Sequence, residues 1–228
     1  YPLLASGKLS NSPKARNVES AVIGYNDRYP RIPYCRRTMF TQNNWSEYLK
    51  CLPYVEMVND IFKQEAPVQY ARQKMVAEKT EADFIIKDTA FSTVTVNRNF
   101  RTAGHVDNGD YKPGLGNLGV IARGNYEGAV TVLPRYGIGL DVKNGDVALF
   151  NVHEVHGNTA IVRKGYCERI SIVCYYREKM LNCGNTEYEL KRAKKGKKSA
   201  ADQHEIVRAN KIKKEVMDEF PYSYSKSR

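Results

Sequence analysis

Two stretches hold three of the four histidines of this chain: NFRTAGHVDNGDY at 99–111 and NVHEVHGNT at 151–159. His105 and Asp107 stand at i and i+2, so on an extended strand end both side chains project from one face and can address one ion. A metal site needs a third ligand. His153 and His156, which follow the β-rich run DVALFNV, are the candidates. Two imidazoles and one carboxylate leave three adjacent coordination positions open, the arrangement that suits non-heme Fe(II) binding a cosubstrate and O2 together. A turn that happens to hold two polar side chains is the bland alternative for His105-Val-Asp107, and the second pair of histidines weighs against it.

Oxygen activation needs electrons, and no dinucleotide fingerprint supplies them: GLGNLG at 114–119 neither opens a helix nor sits in a βαβ frame. A 2-keto acid that chelates the metal is the alternative, and its far carboxylate needs a buried cation. Arg169 opens the run RISIVCYY thirteen residues after His156 and offers a planar fork for a carboxylate. An arginine at a strand start is more often solvated; only its combination with the histidines singles this one out.

The elements that must carry these residues follow from pattern. Between 83 and 180 lie eight short β-rich runs, FIIKD, FSTVTVN, LGNLGVIA, GAVTVLP, IGLDV, DVALFNV, NTAIV and RISIVCYY, broken by Gly, Asn and Pro. They indicate an antiparallel sandwich or barrel, with no helical stretch long enough for a βαβ crossover. Residues 1–82 read as an irregular proline-bearing arm to about residue 40, then helices. One begins at Trp45, capped by Asn43 or Asn44 and interrupted by Pro53; a second carries Val55, Val58, Ile61 and Phe62 on one face; a third runs from Pro67 to about Lys79. Their apolar stripes are core-facing, and they are expected to pack on one sheet. Residues 181–228 form a basic extension, with ten Lys/Arg against two acids between 190 and 214, that need not fold until bound. The whole reads as one α+β domain, 1–228.

A net charge of +11 favours a polyanionic partner. No stretch reaches the roughly 20 apolar residues of a membrane span, and the first residues lack a signal-peptide apolar run. Five cysteines, an odd number without a C-x-x-C pair, suggest reduced thiols inside a cell.

The order His105-Val-Asp107, then GDVALFNVHEVHGNT, then ERISIVCYYRE resembles the Fe(II)/2-oxoglutarate dioxygenases, and within them the TET/JBP group that oxidises the 5-methyl of pyrimidines in nucleic acid. AFSTVTVN, HVDNGD, GNLGVIARGNYEGAVTVLP and HGNT are more specific to that group than H-x-D alone. VIGYNDRYPRIPYCRRT is similar to JBP-type and phage-encoded members, so the likeness begins near residue 22; it does not cover the last 45 residues.

The resemblance implies a double-stranded β-helix, or jelly roll, over 83–180 with iron at one mouth. It implies His105, Asp107 and His156 as ligands, His153 beside the site, Arg169 as the 2-oxoglutarate anchor and Asn97 as a further contact of the keto acid. The implied cofactors are Fe(II) and 2-oxoglutarate with O2, and the implied substrate is DNA carrying a 5-methylpyrimidine, flipped or single-stranded. A monomer is expected, in the cytoplasm of an infected bacterium if the chain is phage-encoded. Tyr175 aligns with the aromatic that stacks on the base in animal TET enzymes. Arg177 stands where they carry His, and Asp110 where they carry Asn. A carboxylate at 110 can accept from the 4-amino group of cytosine, which thymine lacks, so 5-methylcytosine oxidised to 5-hydroxymethylcytosine is the expected reaction. Thymine hydroxylation to 5-hydroxymethyluracil is the alternative. Lys191, Arg192, Lys194, Lys195, Lys197 and Lys198 are expected on the DNA backbone. From another class comes a non-catalytic β-barrel that binds modified DNA; it has no need of two histidines and an aspartate at ligand spacing.

Overall fold

Nine strands and five α-helices form from the residues that the computed structural model describes, 19–29, 32–195 and 203–221. In chain order the strands are β1 (Glu19–Asn26), β2 (Arg36–Arg37), β3 (Thr93–Arg98), β4 (Gly116–Gly128), β5 (Thr131–Leu133), β6 (Ile138–Leu140), β7 (Val147–Phe150), β8 (Gly157–Asn158) and β9 (Ile161–Tyr175). The helices are α1 (Met39–Asn43), α2 (Trp45–Glu65), α3 (Pro67–Glu78), α4 (Thr186–Lys195) and α5 (Gln203–Glu219). One sheet has the order β2-β1-β3-β9-β4-β7, the other β6-β5-β8, and the pairing is antiparallel throughout. This is the mixed helix and antiparallel-sheet class that the sequence implies.

The period of two along a strand divides the larger sheet into a packing face and a site face. On β9 Ile172 and Cys174 join the main apolar core, while Arg169, Ser171, Val173 and Tyr175 line a cavity on the other side. On β3, Val94 and Val96 face the core, and Thr95 and Asn97 face the cavity. Helices cover the packing face: Tyr48, Val55, Val58 and Phe62 of α2 and Val76 of α3 are buried in the same cluster as Ile23 and Val94. A second, smaller cluster of Leu118, Val120 and Val142 packs with Phe150 and Val173.

Four expectations about the elements need correction, and one about the cysteines. The arm contains β1, whose Ile23 and Tyr25 are core residues; Gly24 at φ +89° permits the close approach, since a Cβ there would lie 2.6 Å from the Ser92 carbonyl oxygen. FIIKD is not a strand: its apolar residues Phe84, Ile85 and Ile86 are buried around a short 3-10 turn. Pro53 does not end a helix. It lies on the exposed side of the continuous α2, as does Leu49, whose carbonyl loses its partner, so water can replace the missing bond. Asn44 is the N-cap residue, but its side chain turns back to the Phe40 carbonyl at 3.3 Å.

The fourth correction concerns the C-terminal extension, which is folded over 186–195 and 203–219. Ala209, Ile212 and Val216, at i, i+3 and i+7, bury one face of α5 in the main core. Arg28 pairs with Glu189 of α4 and, at 2.5 Å, with Glu205 of α5; the three side chains are at most 10% exposed. Two of the five cysteines are not free thiols: Cys35 and Cys183, 148 residues apart, form a disulfide, and Cys51, Cys167 and Cys174 remain reduced. Among the described residues, no helix is long and apolar enough to cross a membrane.

Candidate active site

His105 and His156 face each other in an antiparallel bridge in which the backbone N–H of each donates to the carbonyl of the other, at 2.9 and 3.0 Å. Asp107 is held by its own N–H, which donates to the Val152 carbonyl at 3.0 Å. Backbone pairing therefore converts two distant sequence stretches into one cluster. The ligand atoms of His105, Asp107 and His156 lie within 4.8 Å of one another; the Nε2 atoms of His105 and His156 are 3.3 and 3.6 Å from the Asp107 carboxylate oxygens.

Each imidazole is also oriented from behind. Nδ1 of His105 is 2.9 Å from the Ala103 carbonyl oxygen, and Nδ1 of His156 is 2.9 Å from that of Glu154. A carbonyl only accepts, so Nδ1 carries the proton and Nε2 keeps its lone pair for an ion. The hydrogen bond to Asp107 raises the His105 pKa, whereas burial lowers that of His156 and keeps its ring neutral. Once an ion displaces the proton that His105 Nε2 shares with Asp107, two neutral imidazoles and a carboxylate fit a divalent iron with open positions.

Arg169 is 4% exposed, and its Nε is buried with no hydrogen-bond partner among the described residues. Its backbone N–H donates to Asn99 Oδ1 at 2.8 Å, which fixes the start of the site-facing half of β9. A buried guanidinium with an unused donor calls for an anion, and a bidentate carboxylate satisfies it. Asn97 pairs with Ser171 in the β3–β9 register and lines the same cavity.

That cavity, about 460 Å³, is lined by the three ligands, by Arg169 and Asn97, and also by Asp110, Tyr175 and Arg177. Asp110 is 9% exposed, and burial together with the Asp107 charge pushes its carboxyl up to about 8, against the pull of Arg177. The Tyr175 hydroxyl is 3.0 Å from Thr95 Oγ1. Arg177 Nε donates to Asp27 Oδ1 at 2.6 Å. His153 stands apart: its ring bonds to the Asp110 backbone, its Nε2 is buried without a partner among the described residues, and burial lowers its pKa.

The basic residues divide. Lys191, Lys194 and Lys195 are exposed on α4, with Lys191 2.7 Å from Glu187. Arg192 is buried instead, its Nε donating to the Pro33 carbonyl at 3.1 Å, which makes it a poor phosphate contact; Lys197 and Lys198 lie outside the described residues. Sequence reasoning passed over Ser171, which the period of two from Arg169 signals, and Asp27, for which no local signal exists.

The Tet_JBP family, described as the oxygenase domain of the 2OGFeDO superfamily, matches residues 21–178. The chain is 37% identical over 170 residues to the bifunctional helicase and thymine dioxygenase JBP2 of Trypanosoma cruzi (strain CL Brener), covering 73% of this chain and 15% of that protein. It is 39% identical over 166 residues to JBP2 of Trypanosoma brucei brucei (strain 927/4 GUTat10.1), covering 71% and 15%. Against the thymine dioxygenase JBP1 of Trypanosoma brucei brucei it is 34% identical over 184 residues, covering 78% and 21%. The chain thus spans about a fifth or less of the length of these relatives. The fold is similar to that of NgTET1 in complex with 5mC DNA, with a TM-score of 0.56 and 14% identity over 80% of this chain and 71% of that one. With a His-Asp-His cluster that can hold a metal, a buried arginine and a match over residues 21–178, the chain belongs to the TET/JBP family of 2OGFeDO oxygenases.

Proposed function

We propose that this chain is an Fe(II)- and 2-oxoglutarate-dependent dioxygenase that oxidises the 5-methyl group of a pyrimidine in DNA, with thymine as the preferred base. The observation that carries it is the one cavity shared by a His-Asp-His triad, a buried arginine and an aromatic-lined polar end. In this reading two sheets of a jelly roll form its walls. When bound, Fe(II) with 2-oxoglutarate and O2 supplies the oxidation of an unactivated C–H bond, which no side chain performs.

The residues supply placement. Ala103 and Glu154 carbonyls lock the two histidine tautomers, and Arg169 presents its fork to the far carboxylate of the keto acid. Leu118, Phe150, Val152 and Val173 line the cavity with apolar surface that keeps water from the reacting centre. A stacked methyl cannot reach such a cavity, so the base enters flipped or single-stranded, with Tyr175 as its shelf.

The choice of base turns on Asp110. An ionised carboxylate favours the cytosine amino group, but burial, joined by the Asp107 charge while the metal is absent, raises the Asp110 carboxyl to about 8 and so favours its neutral form. A neutral carboxyl both donates and accepts, and so pairs equally with the O4/N3–H edge of thymine and the N4–H/N3 edge of cytosine. That weakens the physical ground for preferring 5-methylcytosine, and the relatives at 34–39% identity are named thymine dioxygenases, which supports thymine. The test is a competition between matched oligonucleotides carrying thymine or 5-methylcytosine at one site, read as hydroxymethylated nucleoside by mass spectrometry. More product from 5-methylcytosine would reverse the base assignment, and neither product, with Fe(II), 2-oxoglutarate and O2 supplied, would end the dioxygenase reading on DNA.

A further inference from the structure

We propose that Asp27 is a positioning residue that holds the Arg177 guanidinium beside the base-facing part of the cavity, and that Arg28 ties this support to the C-terminal helices. This rests on the cavity being the base pocket. Asp27 follows β1 directly and is 3% exposed, a position that an aspartate tolerates only with a close cationic or hydrogen-bonding partner. Its partner is Arg177, 150 residues away, through Nε at 2.6 Å. Arg177 lines the cavity and Asp27 does not.

The grip is on one edge of the fork only. The terminal nitrogens lie against Gly109, where a Cβ would be 3.3 Å from Nη2 and 3.6 Å from Nη1, so the absent side chain there leaves room for the group. The guanidinium also reaches the Tyr175 hydroxyl, linking it to the proposed shelf. The Arg177 backbone N–H donates to Ser92 Oγ at 3.0 Å, so both the root and the Nε edge of the side chain are fixed. A guanidinium only donates, and the N–H groups that Asp27 and Tyr175 do not take suit the carbonyl oxygens of a pyrimidine.

Arg28 makes the support rigid. Its pairs with Glu189 of α4 and Glu205 of α5 are buried, so the backbone carrying Asp27 is anchored to both helices. The base end of the cavity is therefore supported from behind by residues near both ends of the described chain, whereas Arg169 and the His-Asp-His cluster come from 105–169.

The test measures steady-state kinetics on an oligonucleotide bearing the accepted methylpyrimidine, alongside succinate formed without DNA. Asp27→Asn should lower kcat/KM for the oligonucleotide about tenfold or more, chiefly through KM, as loss of a charge-assisted hydrogen bond implies. DNA-independent succinate formation should stay within about twofold, and in an Arg177→Gln background Asp27→Asn should add no more than about twofold, because the two act as one unit. Equal loss with and without DNA makes Asp27 a fold residue and overturns the proposal, as does full additivity with Arg177→Gln. If Asp27→Asn does not fold, Asp27→Glu carries the test: its longer stem displaces the fork, so KM for the oligonucleotide should rise, and an unchanged KM overturns the proposal. A wild-type chain that consumes 2-oxoglutarate yet modifies no methylpyrimidine oligonucleotide overturns the base-pocket reading itself, and this proposal with it.

Discussion

At His105 and His156 the nitrogen that a metal does not use is tied to a backbone carbonyl, while His153, three residues from His156, bonds to the Asp110 backbone and keeps its other nitrogen buried and unused. Replacing His105, Asp107 or His156 by Ala should each weaken Fe(II) binding by more than about 100-fold, beyond what loss of an outer partner brings, and His153→Ala should retain it. Metal titration checks this; retention in His156→Ala with loss in His153→Ala would reassign the third ligand. Asp110 offers a pH test on metal-free protein. Its folded pKa of about 8 exceeds the ordinary 3.8, so the folded chain keeps a proton that the unfolded chain has released. Stability contributed by this group is therefore lost as pH rises from about 4 through about 8, and Asp110→Asn escapes that loss. The Tm of the variant relative to wild type should climb from pH 5 to pH 8 and then level off; a constant difference would refute the buried neutral carboxyl. That His105, Asp107, His156 and Arg169 gather in one cavity was legible because the chemistry proposed for them demands rare residue types at short spacing within a recognisable family pattern. Asp27 was not, because its meaning comes entirely from a partner 150 residues away.

Strands announced themselves where β-branched runs were bounded by Gly and Asn, and seven of the eight runs contain strand residues. FIIKD failed because an apolar run also suits a buried turn, and nothing local distinguishes the two. The Glu19–Asn26 strand was hidden by the prolines that follow it, and α5 by its charge: lysines dominate the eye, while the Ala209, Ile212, Val216 spacing carries the packing. Ile212→Ala should cost about 2–4 kcal/mol of stability in urea unfolding, the usual range for a buried aliphatic truncation. An unstructured tail would show no such change. On α4, replacing exposed Lys191, Lys194 and Lys195 by Ala should flatten the log–log salt dependence of duplex binding by about 0.9 for each phosphate that is no longer neutralised. An unchanged slope would take α4 off the DNA path.

Across the molecule, the net charge of +11 coexists with acidic residues that are spent internally, Glu189 and Glu205 on Arg28 and Asp27 on Arg177. The segment that follows β1 is thus joined to the C-terminal helices by ion pairs and to the loop just before them by the Cys35–Cys183 disulfide, links that no periodicity reveals. The sheet order has a consequence for how such a chain is made. β9, the last strand in sequence, lies between β3 and β4, so their shared edge stays vacant until residues 161–175 leave the ribosome. The three candidate metal ligands emerge before that strand, whereas Arg169 and Tyr175 arrive on it. A nascent or prematurely released chain can therefore present metal donors without a closed sheet or an anchor for the keto acid. In the proposed function, oxidation then waits, by order of synthesis alone, for the strand that walls the cavity.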